Sequence, residues 1–130
     1  MSEPIRFSDV PDASPFPGII SKLVMSREKG SAAITVGELR IAAGHTLPLH
    51  VHKVEEALVF LSGDAKVEVD GKETPVTAPS VLLTPAGTKH CITNVGTSEV
   101  RIVFFFPAVE VERILVKVPN QPFGRRNSRR

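Results

Sequence analysis

The chain has one cysteine, Cys91, and neither tryptophan nor tyrosine. A single cysteine excludes a disulfide within the chain and any multi-cysteine zinc site, and it gives no argument for secretion. Without tyrosine there is no phenol for acid catalysis. Without tryptophan there is little flat surface for stacking on a sugar or a base. Long apolar runs are missing too. The longest, such as 102–106, fall far short of the roughly 20 residues a membrane helix needs. No basic segment followed by an apolar stretch opens the sequence, so no secretory signal is expected and the expected location is cytoplasmic. Long amphipathic helices are also scarce. Only 18–24 and 108–114 have room for a short one, and no stretch supplies a DNA-binding helical unit. Neither nucleic acid nor membrane is therefore an expected partner.

Charge of one sign is not in real excess. The net charge is +2, and Arg125, Arg126, Arg129 and Arg130 more than account for it. The body is mildly acidic and carries a basic tail, expected as a solvated, disordered end.

What is abundant favours strands. The 130 residues include 17 Val, 8 Ile, 8 Thr and 7 Phe, which suit pleated, half-buried surfaces. The 11 Pro and 9 Gly cut the chain into short segments. Strands are expected at 21–27, 32–41, 55–61, 65–69, 72–76, 80–84, 89–95, 99–106 and within 109–118. Asp70-Gly71 between two of them is a strong hairpin signal. The length allows one domain. We divide it into an extended proline-rich arm (1–20), a barrel or sandwich (21–118) and the basic tail (119–130).

Histidines carry the chemistry. His50 and His52 stand two apart, so on a strand they share a face. If the chain stays extended, Glu56 lies on that face as well. Two imidazoles and a carboxylate at one edge suit a non-haem iron, manganese or zinc site. Residues 44–63 read G-H-T-L-P-L-H-V-H-K-V-E-E-A-L-V-F-L-S-G, and 85–94 read P-A-G-T-K-H-C-I-T-N. These resemble the two signature motifs of the cupin superfamily, G-x5-H-x-H-x3-E-x6-G and P-x-G-x2-H-x3-N. One position departs, since Pro79 stands where the family often has glycine six residues before the proline.

The resemblance implies an all-β fold, a cupin-type antiparallel jelly-roll β-barrel of one domain. It implies a metal held by His50, His52, Glu56 and His90. One divalent ion, Fe, Mn, Ni, Cu or Zn, suits that set and would keep up to two open positions. It also implies a homodimer, paired through sheet edges with the N-terminal arm crossing over. The apolar residues Ile5, Phe7, Phe16, Ile19 and Ile20 make residues 1–20 look suited to that role.

Other residues bear on the site. Leu58 and Phe60 share the phase of Glu56 and should line the lumen. Cys91 should face away from His90's side of its strand, and Asn94 reads as structural. Glu55 falls out of phase with Glu56. His45 sits in a loop, either exposed or at the barrel mouth with a proton-transfer role. Glu38 and Arg40 share a phase on an early strand, and Arg101 interrupts an apolar one. Each is either a surface charge or an inward group for a substrate carboxylate or a proton. The expected function is a metal-dependent enzyme on a small polar or acidic molecule. A non-haem Fe(II) dioxygenase stands narrowly ahead of an isomerase, lyase or decarboxylase. The alternative is a non-catalytic module that binds a small ligand or a metal.

Overall fold

The computed structural model describes residues 3–116 and the short strand β12 (Ser128–Arg129). The tail expectation for 119–130 otherwise falls outside the described residues. The remaining strands are β1 (Ala13–Phe16), β2 (Ile19–Met25), β3 (Thr35–Ile41), β4 (Thr46–Val51), β5 (Glu56–Ser62), β6 (Asp64–Val69), β7 (Lys72–Thr77), β8 (Ser80–Thr84), β9 (His90–Asn94), β10 (Val100–Phe106) and β11 (Glu112–Leu115). The only described helical pieces are 3₁₀ turns at Phe7–Asp9 and Arg27–Lys29. The two stretches with room for a helix became β2 and the approach to β11. Among the described residues no helix is long and apolar enough to cross a membrane.

The chain is an antiparallel jelly roll. β3 pairs with β10, β4 with β9, β5 with β8 and β6 with β7. This is one long hairpin rolled on itself, and successive rungs fall alternately into two facing sheets. One sheet runs β1-β2-β3-β10-β5-β8 and the other β12-β11-β4-β9-β6-β7. At the closed end, Asp70 and Gly71 both take positive φ, 48° and 85°. That is the pair of left-handed residues a tight hairpin turn requires, and Asp-Gly supplies it cheaply.

The core lies between the sheets. Along β10 the residues alternate strictly: Val100, Ile102, Phe104 and Phe106 are fully buried, while Arg101, Val103 and Phe105 turn outward. Leu39 and Ile41 of β3, Leu58 and Phe60 of β5, Leu47 of β4 and Ile92 of β9 complete the same cluster. Burying each such side chain stabilises the fold by about 1.5–3 kcal/mol.

The arm differs from expectation. Residues 13–20 are part of the sheet, as β1 and the start of β2, and Phe16 and Ile19 are buried in the chain's own core. A β1–β2 hairpin widens the first sheet and needs those side chains for its inner face. The residues before it lie across the outside of the same sheet. Lys22 Nζ donates to the Phe7 carbonyl, and the Arg101 guanidinium stacks over the Phe7 ring.

Candidate metal centre

His50 comes from the end of β4, His52 from the residue just after it, Glu56 from the start of β5 and His90 from the start of β9. All four are at least 96% buried. One candidate ligand atom from each lies within 4.8 Å of the others. Glu56 Oε1 stands 3.3 Å from His90 Nε2 and 3.7 Å from His52 Nε2.

Local structure delivers each ring. Pro48 has no N–H for the ladder, and the β4–β9 register shifts between Leu47 and His50. Past that irregularity, His50 stands directly opposite His90. The Asp70 turn holds the start of β9: its N–H donates to the Lys89 carbonyl, and its carboxylate accepts from the Lys89 N–H. The Pro85–Gly87 loop is tied in turn to β4's exit, because the Gly87 N–H donates to the His52 carbonyl. His52 also packs edge-on against Phe106, with ring centroids 4.8 Å apart.

The tautomers follow from the partners. His50 Nδ1 is 2.7 Å from the Pro48 carbonyl, His52 Nδ1 2.9 Å from that of Glu112, and His90 Nδ1 3.2 Å from that of Thr88. A carbonyl oxygen only accepts, so each Nδ1 carries the proton. In the neutral ring each Nε2 then keeps its lone pair. This is the outer hydrogen bonding that orients metal-ligating histidines. First-row ions hold such ligands at about 2.0–2.2 Å, so ligand atoms across an ion lie about 4.0–4.4 Å apart. A contraction of a few tenths of an ångström from the observed spread suffices. The buried three-histidine, one-glutamate group therefore fits a divalent metal ion.

The remaining candidates lie elsewhere. Glu38, Arg40 and Arg101 are on the outer face of the first sheet, so the inward alternative fails for all three. Arg101 Nε donates to Glu38 Oε2, Arg40 Nη2 donates to Asp12 Oδ1, and Lys22 is 3.5 Å from the same Asp12 oxygen. Glu38 is buried because charged neighbours and the N-terminal segment cover it, not because it faces the lumen. His45 is exposed at the opposite end of β4, five residues or about 16 Å from His50. Its ring lies so close to Gly18 that a Cβ there would fall 2.2 Å from His45 Cγ. That separation sets His45 apart from the metal cluster. Glu55 is exposed. Asn94 is structural: its Nδ2 donates to the carbonyls of Ile41 and Ser98, and its Oδ1 accepts from Gly96 N–H. Cys91 points outward beside Glu68, and burial together with that carboxylate pushes its thiol pKa up.

Sequence reasoning missed Arg113 in β11, whose side chain is 1% exposed. The signal was weak. In V-E-R-I-L the apolar residues occupy both phases, so alternation does not say which face Arg113 takes.

Comparison with known proteins agrees with this architecture. A family model described as Cupin domain matches residues 37–106. The polyketide synthase CurC of Streptomyces cyaneus is 30% identical over 76 residues, 58% of this chain and 49% of that protein. The chain thus spans about half the length of that curated relative. The polyketide cyclase RemF from Streptomyces resistomycificus superposes with a TM-score of 0.75 at 17% identity, covering 90% of this chain and 88% of that one. A predicted oxalate decarboxylase from Thermotoga maritima gives 0.70 at 23% identity, covering 82% and 99%. At these identities the two structures speak for the fold alone.

Proposed function

The chain belongs to the cupin domain family, and from that premise we propose that it is a metal-dependent enzyme acting on a small, oxygen-rich substrate. One observation carries the reading: three imidazole Nε2 atoms and one carboxylate converge on one buried point, with every Nδ1 engaged behind them. When bound there, a divalent ion supplies Lewis acidity to a substrate carbonyl or enolate oxygen. The chain's own groups do the rest. The carbonyls of Pro48, Thr88 and Glu112 fix the three tautomers. Phe106, edge-on against His52, adds apolar surface beside the cluster, and the burial of all four side chains holds bulk water away. Three neutral imidazoles and one carboxylate around a divalent ion leave a net charge of about +1, which favours an anionic or enolised ligand.

The 30% identity to a protein named a polyketide synthase supports a keto-bearing substrate of polyketide type. The reading is a metal-dependent cyclase, isomerase or lyase rather than an Fe(II) dioxygenase. In the same reading the protein acts as a homodimer.

Metal analysis of protein purified without added metal or chelator is the first test. About one divalent ion per chain is expected, and His52→Ala should lose most of it. Full occupancy in that variant would remove the ligand set. The second test adds a 1,3-diketone to the cobalt-substituted protein and follows the visible spectrum, with oxygen uptake measured on the iron form. A spectral change without oxygen uptake is expected. Oxygen consumption would restore the dioxygenase, and no spectral change at millimolar ligand would leave a closed, non-catalytic site.

A further inference from the structure

Arg113 is among the most buried large side chains of the molecule, yet its Nε and Nη1 have no hydrogen-bond partner among the described residues. Its guanidinium lies 5.2 Å from the centre of the Phe16 ring, which stabilises the cation from one side but offers no oxygen or nitrogen acceptor. A buried guanidinium stays charged, and leaving its donors unmet is costly. Such a group in a finished fold calls for an acceptor from outside.

The structure offers a place for one. Arg113 lines a cleft of about 380 Å³ between β1–β2 and β11. That volume is in the range of small-molecule sites, about 300–1,000 Å³. Its walls are mostly apolar, from Val10, Pro11, Pro15 and Leu23, with Ser21 and Ser26 adding hydroxyls. Glu28 and Lys29 sit at the exposed rim and oppose each other in charge. The one deeply buried charge in the cleft is therefore Arg113. β11 also orients one metal-site candidate, since the carbonyl of Glu112, next to Arg113, accepts from His52 Nδ1.

We propose that this cleft is a binding site for a carboxylate on an apolar body, with Arg113 as its anchor. The guanidinium supplies charge-assisted hydrogen bonds to the carboxylate, and the proline and aliphatic walls take the body. This deepens the enzyme reading by naming a ligand class. It rests on that reading only in calling the ligand a substrate, because binding itself needs no metal. It also replaces Arg40 and Arg101, which face outward, as the arginine that meets an acid.

Titration of chelator-stripped protein with 1-naphthoate, followed by calorimetry, tests the binding. Neutral 1-naphthamide and inorganic phosphate serve as controls. Naphthoate should bind, and the amide and phosphate should bind at least ten-fold more weakly. Arg113→Met should lose naphthoate affinity by about 10- to 100-fold, the worth of hydrogen bonds to a charged group. Its melting temperature should stay level or rise, because an unpaired buried charge has been removed. If Arg113→Met does not fold, Arg113→Lys decides the matter, with an affinity loss of about ten-fold expected from losing the planar fork. Equal affinity for acid and amide, or undiminished binding in the folded variant, would overturn the proposal. So would naphthoate binding that appears only after metal is restored, since the acid would then be meeting the ion. Failure of the metal tests with naphthoate binding intact would sink the enzyme reading and leave this site standing.

Discussion

Gly37 shows how one hydrogen atom can decide a core. It faces inward on β3, directly opposite Phe104 on β10, and the phenyl ring lies across it. A Cβ built there would fall 2.0 Å from Phe104 Cζ. Phe104 has no exposed surface and so no free direction in which to retreat. Gly37→Ala should therefore destabilise the protein by about 1–3 kcal/mol through overpacking. Phe104→Leu opens room on the same side, so the double variant should be less damaged than the two single losses combined, with a coupling of about 0.5–3 kcal/mol. Urea midpoints of the four proteins measure this, and strict additivity would refute the contact. The metal cluster follows the same residue-level logic with polar atoms. Each imidazole is aimed by one backbone carbonyl, so its orientation depends on the path of the main chain more than on neighbouring side chains.

Among the elements, β3 carries a charge arrangement that imitates a functional site. Glu38 is 5% exposed and sits among Arg40, Arg101, Asp12 and Lys22. Its partners are 27% and 41% exposed, so much of the pairing is screened by water. Glu38→Gln removes the carboxylate that both guanidiniums face. It should lower stability by about 1–2 kcal/mol, with the loss shrinking in high salt. Metal occupancy should not change, because the outer face does not touch the four candidate ligands. Thermal melts at two salt concentrations, paired with metal analysis, check both halves. A variant with full stability and little metal would put Glu38 back in the site. The segment between β4 and β5 has the opposite character. It carries the chain from β4 in one sheet to Glu56 in the other, and its first residue, His52, is fastened both to the loop before β9 and to β11.

At the scale of the whole molecule, one outer face is apolar where a single chain leaves it bare. β8 is an edge strand with Val81 67% and Leu83 52% exposed, and Phe105 and Ile34 continue the surface. Phe16 and Ile19 of the expected crossing arm are already used in the chain's own core. The proposed homodimer is therefore expected to form through β8 and its neighbours, where an unpaired edge and apolar area coincide. Sedimentation should give a dimer mass for the native protein and a monomer mass for Val81→Lys with Leu83→Lys. A native monomer would remove the homodimer, and a dimer persisting in the double variant would move its interface elsewhere. The sequence by itself determined the strand-rich composition, the turn at Asp70-Gly71 and the pairing of His50 with His52. These rest on local rules, a two-residue period and the φ values particular residues accept. The motif spacings named Glu56 and His90, but the extended-chain argument for Glu56 does not describe how it arrives. The chain leaves β4 at Val51, crosses to the facing sheet and returns as β5, so Glu56 meets the histidines across the core. Period two also tells which residues share a face without telling which face is inside. Glu38, Arg40 and Arg101 turned out and Arg113 turned in for that reason. Only the packing of the second sheet, which decides where apolar area can be hidden from water, made that choice.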